Sequence, residues 1–195
     1  MYEGGVKQGK RHGDGISHHT SGKVEFDGTW DMGLLNGTKC MAYSDRGVLL
    51  YRGGFEKDQK SCRSGQVYDQ NGNLIFCGEI RYDIFYTGRI FTFYSNGILK
   101  FEGLLQNGLK SSQNCKKYYE NGKLHFEGEY IDGKKVKGSV YHTNGSLKYK
   151  CEFQDNHKHG AITSLYLDGT TTKFIGQYER GKKTGACKLY YPNGK

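Results

Sequence analysis

Leu124-His125-Phe126-Glu127-Gly128-Glu129-Tyr130 alternates apolar or small residues with polar ones, so positions 124, 126, 128 and 130 share one face of an extended strand. The same phase returns at Leu74-Phe76-Gly78-Ile80 and Leu99-Phe101-Gly103-Leu105. Ahead of these it is found at Val24-Phe26-Gly28-Trp30 and Leu49-Tyr51-Gly53-Phe55. The aromatic-led tripeptide at the centre of each stretch begins at Tyr2, Phe26, Tyr51, Phe76, Phe101, Phe126, Tyr149 and Phe174, a period of 23 to 25 residues. A period that short marks a repeat array in which each unit packs on its neighbours.

Each unit contains a second strand with its own aromatic four residues before a turn glycine, at Tyr43, Tyr68, Phe93, Tyr118, Tyr141 and Tyr190; His18 and Leu165 hold the column in two units. Turn signals fall at one phase: Asn71-Gly72, Asn96-Gly97, Asn121-Gly122, Asn144-Gly145 and Asn193-Gly194, with Ser21-Gly22 and Asp168-Gly169. These predict tight hairpins with positive φ. Gly9, Gly33, Gly108, Gly133 and Gly181 mark the connection at the opposite edge. An inward glycine leaves space that a neighbouring aromatic ring is expected to fill. The predicted fold is all-β: an elongated single-sheet antiparallel β-meander of about eight two-stranded repeats, forming one array over 1–195. Roughly sixteen strands at about 4.8 Å each make a sheet on the order of 75 Å long.

Thirty glycines, one proline and 26 tyrosines and phenylalanines describe a chain that folds rather than a disordered linker. No apolar run reaches the length of a bilayer span and the start shows no apolar leader, so the expectation is a cytoplasmic protein. Cys40, Cys62, Cys77, Cys115, Cys151 and Cys187 are spread singly without CxxC spacing, which predicts free thiols rather than a zinc site or disulfide framework.

The first unit, with Tyr2-Glu3-Gly4, Gly9, His12-Gly13, Gly15, Gly22 and Phe26-Asp27-Gly28, resembles the MORN (membrane occupation and recognition nexus) repeat. So does the last, with Phe174-Ile175-Gly176, Gly181, Gly185 and Tyr190-Tyr191-Pro192-Asn193-Gly194. The central units, with Tyr118-Tyr119-Glu120-Asn121-Gly122-Lys123-Leu124, resemble the variant form of that repeat, also found in antitoxin-like proteins. Departures are Cys151 for a glycine in unit seven, Tyr82-Asp83 without glycine in unit four, and Lys110-Ser111-Ser112-Gln113-Asn114 in unit five. The resemblance implies a noncatalytic scaffold or targeting module in a cytoskeletal, ciliary or membrane-associated assembly. An anionic-membrane or phosphoinositide module, or an antitoxin-like inhibitor of a partner protein, are the alternatives it leaves open.

No catalytic, cofactor or metal site is expected. Gly4 to Gly9-Lys10, Gly128 to Gly133-Lys134 and Gly176 to Gly181-Lys182 fit GxxxxGK, but Arg11, Lys135 and Lys183 follow where a P-loop needs Ser or Thr and then a helix. His157 and His159, and His18-His19, have no nameable third ligand; His12 and His159 hold the His-Gly position of the resembled repeat. A thin ribbon offers little concavity for chemistry.

The net charge of +9 concentrates at Lys10, Arg11, Lys134, Lys135, Lys137, Lys158, Lys182 and Lys183, read as the connection between the two strands of a unit and hence as one long basic edge. Such an edge suits an extended anionic partner, either an acidic protein surface or anionic phospholipid headgroups. The tyrosines alternate into structural columns rather than standing free for base stacking, which argues against nucleic acid. The expected partners are other proteins of an assembly, with end-to-end self-association as a further expectation from unpaired strand edges.

Overall fold

The computed structural model describes residues 1–193; the turn expected at Asn193-Gly194 lies outside the described residues. The described chain contains no helix, and nineteen strands form one open antiparallel sheet. Each unit is a pair: Tyr2–Lys7 with Lys10–His18, Leu74–Arg81 with Ile84–Phe93, Leu124–Ile131 with Lys134–Tyr141, and so on through Lys182–Leu189. Nineteen strands stand where sixteen were expected because three second strands are split. Asn36, Ser61 and Ser111 interrupt them, each turning its N–H back to the preceding strand, at Thr29, Gly54 and Leu104 O respectively. The chain divides into two compact units, Met1–Ile90 and Phe91–Lys195.

The alternation read from the sequence is realised as one packed face. Tyr51, Phe76, Phe101, Phe126, Tyr149 and Phe174 are all buried, and at Tyr51, Phe126 and Phe174 the aromatic residue four positions on packs edge-on against the ring. Within Met1–Ile90 Tyr51 meets Phe55 edge-on at 5.1 Å, and Phe55 meets Phe26 of the previous repeat at 6.0 Å. Within the second half of the chain Phe126 meets Tyr130 at 5.7 Å and Phe153 of the next repeat at 5.9 Å. These edge-to-face pairs add roughly 0.5 to 1.5 kcal/mol each beyond the area they bury.

At Gly53, Gly103, Gly128 and Gly176 the space above the inward glycine is filled in part by the ring two residues earlier on the same strand, whereas at Gly28 it is filled by Cys40 and at Gly78 by the paired backbone of Thr87 and Gly88. A Cβ on Gly103 would lie 2.9 Å from Phe101 Cζ, and one on Gly176 would lie 2.6 Å from Phe174 Cζ. Gly128 and Gly138 face each other across paired strands beneath Phe126. Cysteines occupy the same row: Cys40 pairs with Gly53, Cys115 with Gly128 and Cys151 with Gly138, and all three thiols are buried and free. The replacement at Cys151 is therefore a variation within a row of small residues. Burial lifts its thiol to about 11 from the ordinary 9.0.

The second aromatic column lies on the opposite face and is only half-buried. There Tyr118 donates to Glu102 at 2.7 Å and Tyr141 donates to Glu127.

The two edges use different turns. Gln8-Gly9, Asn107-Gly108, Asp132-Gly133 and Arg180-Gly181 have positive φ at both residues, the two-residue type I′ hairpin whose twist matches that of the strands. Lys57-Asp58, Tyr82-Asp83 and Asp155-Asn156 make the same turn without glycine. Their second residues are Asp or Asn, and each side chain accepts from a backbone N–H of the preceding repeat: Asp58 from Leu35, Asp83 from Lys60 and Asn156 from Lys135. At the Asn-Gly edge only the glycine has positive φ. Gly72 N–H bonds to Asp69 O and Asp69 N–H to Asn73 O, a three-residue loop rather than the tightest hairpin.

Both edges are stitched from repeat to repeat. On the type I′ side Gly33 N–H reaches Arg11 O and Gly133 N–H reaches Lys110 O. On the other, Tyr94 donates to Tyr118 O, Tyr119 to Tyr141 O and Tyr166 to Tyr190 O, and the Asn121 and Asn144 amides donate to Thr143 and Leu167 O.

Two outcomes are expected. Gly128→Ala drives its Cβ into Lys137 O and Phe126 and costs about 2 to 3 kcal/mol, while Gly133→Ala, with open space at its Cβ and φ +79, costs about 1 kcal/mol; thermal denaturation that ranks them the other way refutes the ring-over-glycine packing. Burial raises Tyr130 and Tyr149 to about 12 from 10.0. The native state then keeps protons that the unfolded chain releases, so stability is full below pH 10 and falls as pH climbs to about 12. Melting temperatures recorded across that window, with phenolate absorbance, check the slope.

Candidate functional site

The third member of the aromatic column is the second residue of each return strand: Arg11, Leu35, Lys60, Phe85, Lys110, Lys135, Lys158 and Lys183. Strand alternation sends this position onto the aromatic face, whereas the residue before it faces away. Lys110 Nζ sits 4.0 Å from the Phe101 ring centroid and Lys183 Nζ 4.5 Å from that of Phe174. Lys135 lies between Phe126 and Phe153, and Lys158 between Tyr149 and Tyr178. Phe85 takes the same role by stacking on Phe76 at 4.3 Å, and Leu35 by simple burial. The aliphatic stems cover the rings while the ammonium groups gain a cation–π contact.

The eight basic residues read as one edge therefore separate. Arg11, Lys135, Lys158 and Lys183 turn onto the aromatic face. Lys10, Lys134 and Lys182 are exposed at the strand starts, and Lys137 lies further along its strand. Lys134 pairs with Asp155 at 2.6 Å and Lys137 with Glu129 at 3.4 Å, so part of the outward charge is already met. Desolvation pulls Lys135 and Lys158 below the ordinary lysine range, whereas the Asp155 carboxylate raises Lys134. The signal that separates the two sets was available in the sequence: apolar Leu35 and Phe85 share the phase of Lys135.

His19 Nε2 contacts Tyr43 O at 2.9 Å and so joins the edge stitching. His12 Nδ1 lies 3.3 Å from Asp31, and His159 Nδ1 is buried without a hydrogen-bond partner. Among the described residues no three His, Cys, Asp or Glu side chains gather as a metal ligand set.

In Met1–Ile90 the aromatic face forms an open groove of about 870 Å³, a concavity not anticipated from a flat ribbon. Its floor includes Phe26, Trp30, Leu35, Tyr51 and Phe55. The carboxylates around it are engaged: Glu25 accepts from Ser17, Asp58 from Leu35 N–H, and Asp69 from Asn71 and Asn73. The donors are not all met. Trp30 Nε1 is buried without an acceptor, and the Arg11 guanidinium lies 4.6 Å from the Trp30 ring and 4.9 Å from Tyr2.

An array of hairpins, each donating hydrogen bonds to the next and sharing one ring-and-glycine face, defines the structural class. The family described as MORN repeat variant matches residues 114–132, 137–155 and 183–195, and the chain carries repeats of this family at those places. The first two matches run from a return strand through the Asn-Gly loop into the next strand, so the family's unit is the hairpin closed by the three-residue loop. MORN repeats are noncatalytic repeats that generally bind proteins or membranes. No curated protein matches this sequence.

Opposite orientation of adjacent lysines has a measurable consequence. Lys135→Glu sets a carboxylate against two ring faces and costs about 2 kcal/mol or more, whereas Lys134→Glu, at the exposed position, changes stability by less than about 1 kcal/mol. Lys135→Met keeps the stem. It also flattens the gain in stability that the parent shows as pH rises toward 10.5, where the native state sheds this proton before the unfolded chain does. Chemical denaturation of the three variants at neutral pH and pH 10 decides the matter.

Proposed function

We propose that this chain is a noncatalytic repeat scaffold that holds protein partners within a cytoplasmic assembly, cytoskeletal, ciliary or membrane-associated. The groove of Met1–Ile90 carries the reading: it offers an aromatic floor and unmet hydrogen-bond donors, features of a surface that takes up another chain. The MORN-type repeats support the same class of role.

The membrane reading draws on charge, and the structure moves half of that charge onto ring faces. Lys10, Lys134, Lys137 and Lys182 remain for a headgroup, two of them already in ion pairs. Attraction to a lipid surface through such residues is screened by salt.

The test is gentle isolation of the native chain with its associates, followed by washes at about 0.5 M salt, where surface attraction is largely screened. Defined proteins that remain in fixed stoichiometry support the scaffold. Loss of all proteins, together with salt-sensitive sedimentation on phosphatidylserine vesicles, replaces it with the membrane reading.

A further inference from the structure

The groove in Met1–Ile90 has a polar end and an apolar middle. At the polar end Tyr2 and Trp30 stand edge to face at 5.7 Å, and the Arg11 guanidinium lies against both rings. A guanidinium held on an aromatic face keeps its N–H donors directed outward in the plane of the group, the geometry that grips a carboxylate with two parallel bonds. The Arg11 guanidinium makes no hydrogen bond or ion pair among the described residues, and the Trp30 N–H beside it also has no acceptor. An unmet buried donor is a cost that a bound acceptor removes.

Beyond Trp30 the floor becomes apolar through Phe26, Leu35 and Phe55. The other cation of the groove, Lys60, is occupied by Asp83 at 3.3 Å. In the column of eight, Arg11 is the one arginine, and Trp30 is the chain's single tryptophan. The donor pair is thus specific to this end of the array.

We infer that the groove takes an extended peptide segment of a protein partner in which a carboxylate-bearing residue seats at Arg11 and Trp30 and the apolar side chain two residues along, on the same side of the strand, lies on Phe26, Leu35 and Phe55. This rests on the protein-binding reading above and names the chemistry of the occupant. A multiply charged inositol phosphate fits less well, because Glu25, Asp58 and Asp69 line the same groove and repel it, and it leaves the apolar floor uncovered.

Trp30 is a built-in reporter. The full chain is titrated with an acetylated, amidated serine hexapeptide carrying glutamate at its second position and leucine at its fourth and sixth, with the counterpart that has lysine for the glutamate, and with inositol trisphosphate, while tryptophan emission is followed. The expected result is a saturable change with the glutamate peptide alone, weakened about tenfold or more in Arg11→Gln. Arg11→Lys keeps the charge but not the two-pronged donor and is expected to fall between them. Circular dichroism melts show whether each variant is folded; if Arg11→Gln is not, the Arg11→Lys comparison decides.

No saturation with the glutamate peptide, equal response to the lysine peptide, or affinity unchanged by loss of Arg11 overturns the inference. So does a response to inositol trisphosphate alone. These outcomes are separable from failure of the scaffold reading: salt-resistant protein partners recovered alongside a negative titration leave the scaffold standing and remove only the acidic segment.

Discussion

The packed face of this sheet depends on small residues that let rings lie against the backbone, most directly where Tyr51, Phe101, Phe126 and Phe174 each cover the glycine two residues further along the strand. The contact needs a residue without a side chain, because a Cβ at Gly103, Gly128 or Gly176 would enter the ring. It also solves the problem of a single-layer sheet, which has no second layer to cover its apolar face. At Phe126 the ring folds down onto the backbone, its neighbours close on it edge to face, and a lysine stem covers the remaining side; Phe85 and Leu35 do the covering in two other repeats. The row of glycines and small thiols running across the strands is the other half of the same contact.

Much of this was legible in the sequence because the constraint is local and repeats. Phe126 and Gly128 are two residues apart, so their relation survives in the linear text, and its recurrence fixes the strand phase. The type I′ edge was legible where Gly9 or Gly133 marks it, and less so at Lys57-Asp58 and Asp155-Asn156, where a side-chain acceptor for the neighbouring repeat accompanies positive φ without glycine. The three split strands left no clear trace, since Asn36, Ser61 and Ser111 differ from their neighbours only in where the backbone N–H points.

The basic residues show why composition misled. Lys134 and Lys135 are adjacent in the chain and both charged, but alternation puts them on opposite faces, one in water beside Asp155 and one between two rings. A count of charge treats them alike; the face they occupy separates them. The groove was hidden for a different reason: concavity comes from how the twisted strands accumulate, and no short segment of sequence encodes it.

The stitching between hairpins has an evolutionary implication. Tyr94, Tyr119 and Tyr166 donate to main-chain carbonyls of the following hairpin, and Gly33 and Gly133 donate to main-chain carbonyls of the preceding one. A main-chain acceptor is present whatever residue carries it, so the joint is blind to the identity of the hairpin it receives. Duplication or loss of whole modules by recombination would preserve these joints, leaving natural selection free to lengthen the array or diversify single modules while the joinery stays the same.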